Sequence, residues 1–382
     1  MNSISYWLDI PYVARPSLEN HANTDVVVIG GGITGISTAY HCAKQGLKTI
    51  LIEKDTIASG PAGRNGGMVV EGRSSDFANT IKKVGLESAT RAWRDTVNAR
   101  ELVVELINEH KIDCDFKRPG TLYIGASESD AKSLRAEAEA RNAAGFPCEI
   151  LEKGNQLKES VFDVALFTKN DCLLHPVKFL RSLAQIAESY GAVIYEHTPA
   201  ISFDAKLVTT KYGVIHAERV VVATESDNLH ALEQNTNLIR SQALVTAPLP
   251  SDILANLDWT IGEMLWTTED TEYASVRRID NRLFICKALP LEPTSEDIET
   301  NKQWQLNKLK VFFPKFPQEI EITHQWSCRM LESIQNHPYI GIRNDCYEAF
   351  GHSGNGLTNG MMAGKMLAEH FGGKSLSELY SF

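Results

Sequence analysis

Gly30, Gly32 and Gly35 stand in a Gly-x-Gly-x-x-Gly pattern, and an acid, Glu53, closes the next apolar run. Each residue type has a reason to be there. Gly30 lets the chain turn sharply, Gly32 lets the backbone approach a pyrophosphate, and Gly35 lets a helix pack closely on a sheet. The first N–H groups of that helix, at Ile33 and Thr34, meet the phosphate charge at its positive end. Glu53 is placed to accept bonds from a ribose 2′-OH and to repel a 2′-phosphate, which favours FAD or NAD over NADP. By itself the motif does not choose between those two. A second glycine cluster, Gly351-His352-Ser353-Gly354-Asn355-Gly356-Leu357-Thr358, repeats the logic near the other end of the chain. Its N–H groups suit the edge of a redox ring that gains negative charge on reduction.

The elements that must position these residues are legible around them. Asp25-Val26-Val27-Val28-Ile29 reads as a strand entering the first glycine turn, a helix follows through Ala43, and Thr49-Ile50-Leu51-Ile52 is the second strand. Residues 86–110 and 127–144 read as helices, with a strand at Gly120–Gly125 between them. His175-Pro176 opens a helix over Val177–Tyr190. Strands follow at Ala192–Tyr195 and Ala200–Phe203, then a hairpin over Leu207–His216 that turns at Tyr212-Gly213. Arg219–Thr224 is a continuous apolar run of the kind buried in a parallel sheet. Ala243–Ala247, Tyr273–Arg277 and Leu283–Lys287 alternate as antiparallel strands. A helix spans Ile298–Phe312, and the last helix runs from Gly360 to Phe371 after the strand Tyr347–Gly351.

Bulk properties narrow the class. A chain of 382 residues exceeds one ordinary core, so two domains are expected. A formal net charge of −10 with no Lys/Arg block argues against a nucleic-acid partner. The apolar runs are strand-sized, so no membrane span is expected. Residues Met1 to Asn20 lack a basic-then-apolar leader pattern, and a cytoplasmic location is expected. The seven cysteines are scattered without a Cys-x-x-Cys pair, which indicates neither a disulfide framework nor a metal site.

Taken together, the two glycine clusters with Glu53, the loop Gly63-Arg64-Asn65-Gly66-Gly67, the His175-Pro176 helix start, the early Ser5-Tyr6-Trp7 and the spacing from Trp326 to Pro338-Tyr339-Ile340-Gly341 resemble the D-amino-acid oxidase-type FAD oxidoreductases, and within them the γ-glutamylputrescine oxidase branch. The resemblance covers nearly the whole chain. It implies an α/β fold, α+β overall. A discontinuous Rossmann-like FAD-binding domain (22–84, 169–238 and 326–382) would hold an inserted, mostly antiparallel substrate domain (85–168 and 239–325), after an N-terminal extension (1–21). It implies oxidation of an amine or amino acid C–N bond, possible γ-glutamyl-polyamine-like substrates, and reoxidation by oxygen or another acceptor. Carried onto this sequence, the FAD site takes Gly30, Gly32, Ile33, Thr34, Gly35, Glu53, Lys54, Gly63, Arg64, Asn65, Gly66, Gly67, Met68, Ala200, Ala223, Thr224, Cys328, Gly351, Ser353, Gly354, Asn355, Gly356, Leu357 and Thr358.

Departures from the family pattern bear on the substrate. Thr358 stands where sarcosine-type oxidases carry a lysine for the substrate carboxylate, and Met330 where glycine oxidase-like members carry an arginine. Arg329, one residue earlier, is a candidate carboxylate anchor, although a shift of one turns a strand side chain to the other face. Cys328 aligns with the cysteine that sarcosine oxidases link to flavin. Non-covalent FAD is expected here, with Cys328 as the position for a covalent link; the plainer reading is a small buried thiol. Lys287 is a candidate for activating oxygen near the flavin, against a solvated strand-edge lysine. His352 and His175 flank the site, as ring contacts or as caps. Glu225-Ser226 stands where relatives carry small or amide residues. Two other readings are a flavoprotein of this fold that has lost catalysis and serves as a redox partner, and an NAD-dependent dehydrogenase; the second glycine cluster and the 63–67 loop disfavour the dehydrogenase.

Overall fold

The structure, a computed structural model, describes residues 4–72, 76–125, 127–153, 162–227, 236–251, 253, 263–267, 274–313, 316–317, 319–334 and 337–376. Two large sheets organise it. The first has the order Tyr339–Arg343, Cys346–Phe350, Val214–Val222, Ala22–Ile29, Thr49–Ile52, Val193–Tyr195. All its neighbours from Cys346–Phe350 to Val193–Tyr195 run parallel, and Tyr339–Arg343 adds an antiparallel edge. The apolar runs Val26–Ile29 and Val220–Val222 are buried, as strands covered on both faces must be. The helices Ile33–Lys44 and Gly356–Phe371 pack side by side on this sheet. They approach so closely that a Cβ on Gly364 would lie 2.5 Å from Ser37 Cβ.

The strand Ala22–Ile29 is the switch point. The chain leaves it through a helix to Thr49–Ile52 on one side, while Val214–Val222 pairs with it on the other. A crevice opens between the carboxyl ends of two strands whose connections diverge in this way.

The second sheet has the order Ile322–Ser333, Thr236–Thr246, Arg282–Leu289, Ala274–Ile279, Met264–Thr267, Thr121–Gly125, Val164–Thr168, Glu149–Glu152. Every pair is antiparallel except Met264–Thr267 with Thr121–Gly125. One face carries Leu244, Leu283 and Ile285 into a core with Leu309 and Phe312 of the helix Ser295–Phe312. The other face carries Ala243, Phe284 and Trp326 into the main core beneath the first sheet. Among the described residues, no helix is long and apolar enough to cross a membrane.

Several elements differ from their sequence expectation. The expected strand at Ala243–Ala247 is Thr236–Thr246, because pairing with Ile322–Ser333 holds its polar first half in the ladder, and Arg282–Leu289 joins on the other side from Arg240. The expected strand at Ala200–Phe203 shrinks to Ser202–Phe203, whose residues are exposed and find no core. The last helix begins at Gly356, a turn earlier than expected. Tyr273 lies outside the described residues, and its strand is seen as Ala274–Ile279. A helix at Phe77–Val84 has no local signal. The Glu137 carboxylate, from the helix Glu128–Ala143, accepts from its Phe77 and Ala78 amides at 3.0 and 2.8 Å.

Candidate active site

The first glycine turn behaves as its residue types require. Gly30 sits at φ +113°, and a Cβ there would lie 2.5 Å from the Ala223 carbonyl oxygen. A Cβ on Gly35 would collide with the Gly30 carbonyl. Gly32 is different: the only heavy atom near a Cβ there is Ala62 Cβ at 3.8 Å, so its backbone faces open space. Gly32 caps the helix Ile33–Lys44 with no side-chain bond, which leaves the positive end of the helix to the cavity. Glu53 accepts from the amides of Gly31 at 2.6 Å and Asp55 at 2.9 Å, and burial raises its carboxyl above the usual range. Lys54 reaches across the crevice to Asp227, 2.6 Å away.

The Gly63–Gly67 loop is splinted through its carbonyls. Ser5 Oγ donates to Gly63 O at 2.7 Å, Trp7 Nε1 to Asn65 O at 2.7 Å, and Trp326 Nε1 to Arg64 O at 3.0 Å. Asn65 ties the loop from within, donating to Ala62 O at 2.6 Å and accepting from the Gly67 amide at 2.8 Å. Arg277 completes the splint: its Nη1 donates to the carbonyls of Gly66, Gly67 and Leu174 at 2.7, 3.1 and 3.0 Å. The guanidinium is buried, and that burial pulls its pKa below the usual arginine value. Sequence reasoning missed Arg277 because its partners are backbone carbonyls at distant positions. It likewise missed Trp7 as more than part of an extension; Trp7 is 1 % exposed and stands edge-on to His175, ring centroids 5.0 Å apart. His175 itself caps the helix Pro176–Ser189 through Nδ1, which accepts from Lys178 N at 3.2 Å.

The second glycine turn lies across the crevice from the first. Ser353 adopts φ +50° and its hydroxyl accepts from Ser333 N at 2.9 Å. Asn355 donates to Gly72 O at 3.1 Å. His352 Nε2 lies 2.9 Å from Thr34 Oγ1, which joins the two glycine turns directly, and burial lowers its pKa to about 4.

These parts surround one cavity of about 2580 Å³. Gly30, Gly32, Ile33, Thr34, Glu53, Lys54, Arg64, Asn65, Gly66, Met68, Ala200, Ala223, Thr224, Cys328, His352, Ser353, Gly354, Asn355, Gly356 and Leu357 line it. Gly35, Gly63, Gly67, Gly351 and Thr358 do not; they shape the wall from behind. Thr358 is buried, with its hydroxyl turned back to Asn355 O at 3.0 Å.

Strand alternation separates the remaining candidates. Cys328 pairs across with Ser241, and Cys286 with Ala243, on the face that carries Trp326 towards the 63–67 loop. Cys328 is buried, and that burial pushes its thiol up to about 12. Lys287 and Arg329 sit on the opposite face, at the register positions of Gln242 and Arg240. Lys287 Nζ lies 3.7 Å from the ring centroid of Trp304, on the helix Ser295–Phe312 that covers that face. Arg329 is exposed. Both residues also line the cavity, from the strand face opposite that of Trp326 and Cys328.

The residues fit a bound FAD. The Gly32 backbone is open where a phosphate must approach, the helix above it has no cap, and the cavity exceeds the ~300–1,000 Å³ that one small ligand fills. His352 Nδ1 is buried without a partner among the described residues. A profile of the FAD-dependent oxidoreductase family (DAO) matches residues 25–370. The chain belongs to this family. The oxidoreductase is 26% identical over 373 residues to gamma-glutamylputrescine oxidoreductase of Escherichia coli (strain K12), covering 94% of this chain and 86% of that one. It is 26% identical over 354 residues to glycine oxidase of Bacillus licheniformis, covering 90% and 92%. An L-amino acid deaminase from Proteus myxofaciens shares its fold with a TM-score of 0.76 at 17% identity, over 98% of this chain and 95% of that one.

Proposed function

We propose that this oxidoreductase converts the C–N bond of an extended amine, of the γ-glutamyl-polyamine kind, to an imine. The observation that carries the reading is the uncharged stretch of the sheet face that carries Trp326, Cys328 and Met330. Beside the loop Gly63–Gly67 it presents Ile239, Ser241, Cys286, Ala288, Cys328 and Met330 to the cavity, and the acid Glu332 follows only past Met330, opposite Asn237. Such a wall disfavours an ammonium and favours the free amine. The nitrogen lone pair can then close the C=N bond as the neighbouring C–H bond breaks, its electron pair leaving with the hydrogen. FAD supplies the hydride acceptor when bound. The chain's own residues hold the ring loop rigid through Ser5, Trp7, Arg277 and Trp326, and exclude water with Phe284 and Trp326.

Cavity extent supports a long substrate. Beyond Met68 the cavity continues to Val70, Glu71, Tyr123, Glu137 and Trp266, with the Tyr123 and Trp266 rings stacked at 6.4 Å. Those aromatic faces suit a distal ammonium, since Glu71 is already held by Arg100 and Arg141 and Glu137 by the Phe77 and Ala78 amides. The named activity of the Escherichia coli relative supports the same class, and Thr358, turned into its own helix, supports a substrate whose carboxylate is not gripped there.

The test is an anaerobic screen. The FAD-loaded protein is mixed with polyamines, γ-glutamyl-polyamines, N-methyl amino acids or D-amino acids while the visible flavin absorption is followed. Bleaching fastest with γ-glutamyl-polyamines is expected. Bleaching only by small amino acids overturns the substrate class, and none with any amine favours the non-catalytic flavoprotein.

A further inference from the structure

Glu225 is an acid at the cavity wall, between the two glycine turns and the strand Ile322–Ser333. It follows the strand Val214–Val222 at φ +46°, a left-handed backbone region that a non-glycine residue rarely adopts. Its carboxylate accepts from three amides on two chain segments. Oε1 accepts from Leu331 N at 3.3 Å, Oε2 accepts from Gly351 N at 3.2 Å, and the His352 amide adds a third donor. Oε2 also lies 3.8 Å from His352 Nε2, the atom that meets Thr34 Oγ1. One side chain therefore ties the end of a central strand to the Trp326–Cys328 strand, to the second glycine turn and, through His352, to the first glycine helix.

The plain reading is a turn stitched together by a carboxylate, but the location argues for more. Glu225, Thr34 and His352 all line the cavity, and His352 is 7 % exposed with Nδ1 unpartnered among the described residues. The amides of Gly351 and His352 belong to the turn that would face the cofactor. A charged carboxylate on them sets negative charge beside a ligand that carries its own. We propose that Glu225 is a positioning residue that couples FAD retention to proton uptake: it holds the Gly351–His352 turn and the Leu331 strand at the groove, and the cofactor seats more tightly when the carboxyl is protonated. The proposal rests on the placement of FAD in this cavity. Burial raises the Glu225 carboxyl to about 7, so the proton is exchanged near neutrality.

The other groups around Glu225 do not account for such a transition. Burial holds His352 at about 4 and Cys328, on the strand Ile322–Ser333, at about 12. Asp227, on the same turn, is paired with Lys54. Glu348, on the strand Cys346–Phe350, faces Arg343 at 3.9 Å. Arg329 and Glu332 belong to the strand Ile322–Ser333, and Arg329 is exposed.

The experiment titrates FAD into the apoprotein between pH 6 and 8.5, for the wild type, Glu225→Gln and Glu225→Ala, and follows the melting of each apoprotein. A wild-type Kd that rises about thirtyfold over this range, almost all of it above pH 7, is expected if the carboxyl, at about 7 in the free protein, is protonated in the complex. Glu225→Gln is expected to stay within about twofold across the range. Glu225→Ala is expected to be equally flat and weaker throughout, since it also releases the turn. A flat wild-type series, or the same slope in wild type and Glu225→Gln, overturns the proposal. If neither variant folds, calorimetry of the wild type in two buffers of different protonation enthalpy decides: uptake of about half a proton at pH 7, rising towards one at pH 8.5, supports it, and none at either pH overturns it. Tight, pH-independent FAD binding overturns only the role of Glu225, whereas no binding at any pH overturns the cofactor placement itself.

Discussion

Gly32 and Cys328 show how far one atom decides the site. A Cβ at Gly32 meets nothing of the protein closer than 3.8 Å, at an ordinary negative φ of −86°, so a larger residue there intrudes on the cofactor and not on the fold. Gly32→Val is expected to leave the apoprotein melting temperature within about 2 °C and to weaken FAD binding about a hundredfold, by loss of the pyrophosphate approach; melting and FAD titration check both. The neighbouring Gly30 gives the contrast, since a Cβ there strikes the Ala223 carbonyl and strains the fold itself. Cys328 has the position for a flavin link but not the chemistry. The thiolate is the nucleophile, and burial keeps this thiol protonated at neutral pH. Denaturing the loaded protein is expected to release all its flavin; flavin retained on the chain after precipitation contradicts that expectation.

At the scale of elements, the walls of the cavity are joined by buried charge. Arg100, on the helix Leu86–His110, bonds Glu71 and, at 3.2 Å, Asp171. Arg141, on the helix Glu128–Ala143, takes the other Glu71 oxygen and donates to Thr168 Oγ1 at 3.2 Å. Both guanidinium side chains are 3 % exposed. Glu71 follows the strand Met68–Val69 that leaves the 63–67 loop, so this network joins the loop to two helices and to the end of the strand Val164–Thr168. Removing one partner strands buried carboxylates, at a cost of about 3–5 kcal/mol. Arg100→Met is expected to lower stability by that amount, read from denaturant midpoints, while Arg118→Met at the partly exposed edge of the same network changes it by less than about 1 kcal/mol.

For the whole molecule, two sheets close on one cavity from opposite sides. The parallel sheet brings the glycine turns to the carboxyl ends of its strands, and the antiparallel sheet lays the face of Trp326, Cys328 and Arg277 over the ring loop. The helix Ser295–Phe312 packs on the outer face of the antiparallel sheet, where Arg240, Lys287 and Arg329 lie in register. The expected domain boundaries at 238/239 and 325/326 fall inside the strands Thr236–Thr246 and Ile322–Ser333, so the antiparallel sheet takes strands from both expected domains.

The first glycine turn and its strands were legible because their interactions are local. Val26–Ile29, Gly30, Gly32, Gly35 and Thr49–Ile52 lie within one β-α-β unit, where periodicity and backbone sterics dictate the outcome. The Gly63–Gly67 loop and the second glycine turn were legible as types, for the same reason. What tertiary structure alone decided depends on partners far along the chain. It set Lys287 and Arg329 on the face away from Trp326, since a strand's faces are assigned only when one of them meets a core. It recruited Arg277, Ser5 and Trp7 to the carbonyls of the 63–67 loop, bonds between a side chain and a distant backbone that no local pattern encodes. It also made Glu225, in sequence only a departure from the family pattern, into the group where three strands' ends meet, because the Leu331 and Gly351 amides reach it only once both sheets are in place.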